Sequence, residues 1–188
     1  QKSLASYNTS DHNSGLIYSN TARELAPDLW KNNQMNAVFL MKKNRFKEAV
    51  VLLERANAIS PYNTFSLFNL QTSYEVLGDY NKQISTLRRI LEVDGHNVKA
   101  SSILVRALYK QKKFKEATDE YTRTKLNFEY FKGRSGFGPY HADLAKTALL
   151  IGDYKYFGHI YDDLLKQSPT AENYQVYGIV EYQKLGNK

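Results

Sequence analysis

The chain has 188 residues, enough for one domain with a sizeable core, and 42% of them are apolar, too many for a disordered segment. A formal net charge of +7 points in a general way to anionic partners. Cysteine is absent, which excludes a disulfide framework and cysteine-based catalysis or metal binding, and no apolar run approaches the roughly 18–20 residues that cross a bilayer.

Residues 1–12 read as a polar leader. Asn13–Ala26 has the apolar spacing of a helix (Leu16, Ile17, Ala22, Leu25) and is closed by Pro27, so 13–29 is expected to be a partial unit. From Trp30 the sequence repeats itself. Segments starting at Trp30, Thr64 and Val98 follow at intervals of 34 residues, and a fourth starts at Gly138 after a six-residue insertion, 132–137. The full units are 30–63, 64–97, 98–131 and 138–171, and 172–188 reads as a capping helix over the last face.

Each repeated column has a physical reading. Position 15 holds Asn44, Gly78, Lys112 and Gly152, where a first helix must end and left-handed backbone is often needed. Position 17 holds Phe46, Tyr80, Phe114 and Tyr154, rings expected to fold back over that turn. Position 20 holds Ala49, Gln83, Ala117 and Phe157, and a small residue there lets two helices approach closely. Position 32 holds Pro61, Gly95, Glu129 and Pro169, so the third unit lacks a breaker at the close of its second helix. Within the second unit Leu67, Leu70, Tyr74 and Leu77, then Ile84, Leu87, Ile90 and Leu91, keep helical spacing.

Arg45-Phe46-Lys47-Glu48-Ala49, Lys113-Phe114-Lys115-Glu116-Ala117, Gly78-Asp79-Tyr80, Gly152-Asp153-Tyr154, Ala56 and Pro61 together resemble the tetratricopeptide repeat family over residues 30–171. Asn36 departs from that pattern, where a leucine is usual. The resemblance implies an all-α, right-handed superhelical solenoid of antiparallel helix pairs. It also implies a non-enzymatic scaffold that binds a partner segment in a concave groove lined by the first helices.

The groove positions of that family fall here on Lys31, Gln34, Val38 and Met41, then Phe65, Phe68, Thr72 and Glu75. They continue on Lys99, Ser102, Arg106 and Tyr109, and on Pro139, Ala142, Lys146 and Leu149. The aromatic pair Phe65 and Phe68 beside the cations Lys99, Arg106 and Lys146 suits a protein or peptide with aromatic or aliphatic anchors and acidic residues. The family's carboxylate clamp is incomplete: its five positions hold Gln34, Val38, Asn69, Lys99 and Ile103, of which only Asn69 and Lys99 fit. That argues against a receptor for chaperone tails.

Basic residues gather at the turns inside units one and three: Lys42, Lys43, Arg45 and Lys47, then Lys110, Lys112, Lys113 and Lys115. A basic edge of this kind could touch acidic protein or anionic lipid, although charge runs are commonly just solvated. Nucleic acid is a poor candidate, because the aromatics sit at core columns rather than among these lysines.

The histidines (His12, His96, His141, His159) show no three-ligand spacing, so neither a metal nor any other cofactor is expected. The run 133–138 has phosphate-loop glycines without the closing lysine and hydroxyl residue, and reads as a joint that exposes Arg134 and Phe137. No nucleophile–base set stands out.

Two alternatives accompany the scaffold reading. The size, the few repeats, the polar leader and the start at Gln1 are similar in build to tetratricopeptide lipoproteins that assemble bacterial pili or secretion systems at the outer membrane. A lipid-bearing cysteine would then precede Gln1, and the protein would be periplasmic; otherwise it would be cytoplasmic. The other alternative is a peptide-sensing regulatory module.

Overall fold

The computed structural model describes residues 12–134, 140–167, 169–170 and 178. Among them stand nine helices and no strand: α1 (His12–Leu25), α2 (Trp30–Lys42), α3 (Phe46–Ile59), α4 (Thr64–Leu77), α5 (Tyr80–Val93), α6 (Val98–Lys110), α7 (Phe114–Phe131), α8 (His141–Ile151) and α9 (Tyr154–Gln167). The fold is all-α. The chain divides at Gly95 into two compact units. The first holds α1–α5 and the second α6–α9. The expected capping helix at 172–188 lies outside the described residues, apart from Gly178, as do Pro139 and residues 135–137 of the insertion.

The four turns inside the helix pairs share one construction. Asn44, Gly78, Lys112 and Gly152 all have positive φ, at 59°, 74°, 58° and 86°. At each turn the next N–H reaches back five residues: Arg45 to the Leu40 carbonyl, Asp79 to Tyr74, Lys113 to Leu108 and Asp153 to Ala148, all at 2.9–3.0 Å. This left-handed closure satisfies carbonyls that the end of a helix leaves without donors. Position 15 therefore needs a residue that tolerates left-handed backbone. Glycine supplies this without strain, asparagine at little cost, and Lys112 only against a Cβ clash.

Helix starts follow from the following column. Asp79 caps α5 by accepting the Lys82 N–H (3.1 Å), and Asp153 caps α9 by accepting the Tyr156 N–H (3.1 Å). Asn63 and Asn97 do the same for α4 and α6. Arg45 and Lys113 cannot accept such bonds, and instead pair with Glu48 (2.6 Å) and Glu116 (3.9 Å) one turn on.

In the first unit a core of Ala37, Leu40, Ala49, Val50, Leu53, Leu70 and Tyr74 joins α2, α3 and α4. Ala49 and Ala117 are fully buried, as close helix approach requires. At the same column Gln83 is buried and donates to Gln71 (3.2 Å), and Phe157 is buried as a full ring.

Helix α1 forms over the expected stretch but turns a different face inward. Ile17 and Leu25 are exposed, whereas Gly15 and Ser19 are buried against α2. A Cβ on Gly15 would lie 2.2 Å from the Phe39 ring, so only glycine allows this approach. The departure at Asn36 finds its reason here: its buried amide donates to Ser19 Oγ (3.1 Å) and Asn20 Oδ1 (2.5 Å), stitching α1 to α2.

In the second unit no breaker follows the core of α7, and that helix runs 18 residues against 14 for α3 and α5. Helix α8 packs on its pair partner α9 and, of the preceding pair, more on α6 than on α7.

Candidate functional site

In the first unit, α2 and α4 touch and share the face on which the first-helix positions fall. Phe65 stands on it, 56% exposed, and Phe68 lies half-buried one turn along. Tyr62, just before α4, is 79% exposed three residues from Phe65. The periodicity of the sequence passed over Tyr62, because it belongs to a turn column. Thr72 spends its hydroxyl proton on the Phe68 carbonyl (2.9 Å). Gln34 is half-buried and donates to Asn63 Oδ1 (2.9 Å) and Ser66 Oγ (2.6 Å), so it holds the cap of α4 as well as bordering this face. Val38 is buried, Met41 and Glu75 are half-buried, and Lys31 is exposed beside the Trp30 ring.

In the second unit, α6 and α8 touch in the same way. Lys99 and Lys146 are exposed. Arg106 is half-buried and makes no hydrogen bond or ion pair among the described residues, and its Nη1 is closed off from solvent. An unpaired, partly desolvated guanidinium is a ready partner for a carboxylate. Ser102, one turn before it, is fully buried and its hydroxyl has no partner, so it forms floor rather than surface. Tyr109 packs edge-on against Phe114 with centroids 5.0 Å apart, which is how the position-17 ring covers its turn. Ala142 is exposed and Leu149 half-buried; Pro139 lies outside the described residues.

The basic clusters lie one in each unit. Lys42, Lys43, Arg45 and Lys47 are exposed, as are Lys110, Lys112, Lys113 and Lys115. Both are partly engaged: Lys43 donates to Asn13, Arg45 is forked onto Glu48, and Lys113 faces Glu116.

A polar network bridges α7 to α9, and periodicity gave no sign of it. Asp153 Oδ2 accepts from Tyr121 (3.0 Å) and Lys125 (3.0 Å), and the Lys125 ammonium lies 4.1 Å from the centre of the Tyr156 ring. The Tyr156 hydroxyl donates to Glu129 Oε1 (2.6 Å), whose other oxygen meets Lys132 at 2.6 Å. His159 sits 3.6 Å from Glu129 and 3.9 Å from Asp163. Burial pushes both phenol pKa values up, helped by the adjoining carboxylates. For Glu129 and Asp153 burial acts upward too, but the hydrogen bonds from Lys132 and Tyr156, and from Lys125 and the Tyr156 N–H, outweigh it and leave both below the ordinary range. Buried His141, edge-on to Phe128 at 4.9 Å, is held below its usual value by desolvation.

Beyond the helix end, Arg134 stacks on Tyr130 at 4.0 Å, and Phe137 lies outside the described residues. Among the described residues no three His, Asp or Glu side chains gather as metal ligands, and no helix is long and apolar enough to cross a membrane.

These paired helices, closed by repeated left-handed turns, define the tetratricopeptide-repeat fold. Solved structures bear this out. A tetratricopeptide repeat protein from Parabacteroides merdae matches with a TM-score of 0.72 at 14% identity, covering 96% of this chain and 70% of that one. PilF of Pseudomonas aeruginosa matches at 0.69 with 14% identity, covering 94% and 78%. YrrB, described as a tetratricopeptide protein with an unusual peptide-binding site, matches at 0.61 with 15% identity, covering 91% and 85%. No protein-family model matches the chain. No curated protein matches it significantly in sequence.

Proposed function

We propose that the protein is a non-enzymatic scaffold that binds a partner protein on its first-helix faces. The observation that carries this reading is the aromatic group on and beside α4, with Phe65 and Tyr62 exposed and Phe68 half-buried beside them. A ring left 56% exposed on a helix whose other face is packed gains little for folding, and aromatic clusters of this kind supply binding hot spots. On the α6–α8 face the unpaired Arg106, with Lys99 and Lys146, adds a preference for acidic residues in the partner. YrrB's peptide-binding description supports a partner that is an extended or helical segment.

The test compares wild type with Phe65→Ala/Phe68→Ala in affinity for a partner captured from the native organism. A loss of tenfold or more, with helical circular dichroism unchanged, supports the assignment; equal affinity overturns it.

A second reading makes the scaffold an assembly factor of a pilus or secretion system, carried on a lipid anchor at the outer membrane. Likeness of fold to PilF, whose printed name ties it to pili, favours it. Mass spectrometry of the protein from native cells decides this: a diacylglyceryl-cysteine ahead of Gln1 supports it, and an unmodified chain removes it.

A further inference from the structure

We infer a second binding site, away from those faces, in a groove of the first unit that takes a peptide carboxylate flanked by an aliphatic side chain. The groove has a volume of about 360 Å3 and is walled by Asn20 and Arg23 of α1, Asn36 and Leu40 of α2, Arg45, and Glu48, Val51 and Leu52 of α3. That is the size at which protein pockets begin to enclose small ligands or short side-chain pairs, roughly 300 Å3 and above.

Its chemistry is lopsided. Arg23 is half-buried and its Nε is shut away from solvent with no hydrogen-bond partner; the side chain makes no ion pair among the described residues. The sole carboxylate in the wall, Glu48, is already taken: both its oxygens accept from Arg45 at 2.6 Å. Asn20 faces Asn36 with its oxygen (2.5 Å), and its own NH2 donates to nothing among the described residues. Arg23 and Asn20 are three residues apart on α1 and therefore neighbours on one helix face. The groove is thus lined by the unbonded Nη groups of Arg23, behind which Nε is buried, and by the Asn20 NH2. It carries one uncompensated positive charge, which a carboxylate would satisfy with charge-assisted bonds.

Beside these polar groups, α3 adds an apolar strip. Val51 is 63% exposed, and Leu52 is half-buried against the unit's core. Two valences, one anionic and one aliphatic, select a glutamate or aspartate followed by leucine, isoleucine or valine in a segment of a partner protein. A free anion would gain nothing from Val51, and a purely apolar segment would leave Arg23 unpaired.

The probe is acetyl-Ala-Glu-Leu-Ala-amide, titrated into the 15N-labelled full chain by NMR, with acetyl-Ala-Gln-Leu-Ala-amide as its neutral counterpart. The Arg23 Nε–H and Asn20 Nδ2 signals should move saturably with the glutamate peptide, at least tenfold more tightly than with the glutamine peptide. Arg23→Gln should weaken that binding at least tenfold. Val51→Asp, at an exposed position that folding tolerates, should do the same. Phe65→Ala/Phe68→Ala should leave it unchanged, which separates this site from the partner-binding faces. Absence of saturable shifts, equal response to both peptides, or indifference to both groove variants would overturn the site.

Discussion

The seam between α3 and α4 and the seam between α7 and the α8–α9 pair occupy equivalent places in the repeat, yet apolar contact and polar bridging share the work differently in them. In the first unit the second helix ends on schedule, before Pro61, and the next helix packs against it through Leu53, Leu70 and Tyr74. In the second unit α7 overruns by about a turn, α8 leans on α6, and a groove of about 470 Å3 is left between α7 and the turn that leads into α9. Tyrosines, carboxylates and lysines span it instead: Tyr121 and Lys125 to Asp153, and Tyr156 and Lys132 to Glu129. One missing breaker and an insertion go with a shift from a mostly apolar seam, with a Tyr74–Glu54 bridge (2.5 Å), to one that relies on several bridging charges. The shift matters because apolar contact is indifferent to pH and salt, whereas bridging charges are not.

The largest expected effect breaks the apolar seam. Leu53→Ala removes a fully buried side chain and should cost about 2–5 kcal/mol in urea unfolding, with no dependence on salt. Asp153→Ala, at the polar seam, deletes the cap of α9 and the acceptor of Tyr121 and Lys125 together. It should cost about 1–3 kcal/mol, with greater sensitivity to pH than the leucine variant.

Acid should separate the two units without any mutation. His141 has a folded-state pKa below its ordinary 6.5, so the unfolded chain takes up the proton first and stability falls as pH drops below about 6.5. Glu129, Asp153 and Asp163 are depressed as well, so their contribution is present near neutrality and is lost as pH falls below about 4 toward their folded values. Both effects have the same sign. Hydrogen exchange at pH 4 should therefore show protection lost in α7–α9 before α2–α4; the reverse order would contradict the seam assignment.

The smallest effect sharpens the comparison at the one feature the units share. Lys112→Gly relieves a left-handed lysine and should stabilise by a few tenths of a kcal/mol or more, while Gly152→Ala should cost about 1 kcal/mol, both read from thermal melts.

Helix boundaries were legible wherever a column carried a local backbone demand. The four residues at position 15 adopt left-handed φ in every pair, including Asn44 and Lys112, which a search for glycine alone would have passed over. The side of each helix that packs was less legible when it depended on a neighbour distant in sequence. Leu25 reads as core and is exposed, because α1 is drawn in by Gly15 over Phe39 and by Asn36 onto Ser19. Ser102 reads as a groove position and is buried, whereas Phe65 at the corresponding face of α4 is open. The tyrosine–carboxylate bridge was invisible for the same reason: Tyr121 and Asp153 are joined only through the way α7 and α9 meet.

The central claim is that Phe65 marks a surface used for binding. A photo-crosslinking benzoylphenylalanine placed at Phe65 in cells of the native organism tests it directly, with the same residue placed at Leu126, 66% exposed on α7, as the comparison. Discrete adducts to one partner at position 65, at least tenfold above those at 126, are the expected result. Equal labelling at the two positions, or none at 65, would contradict it.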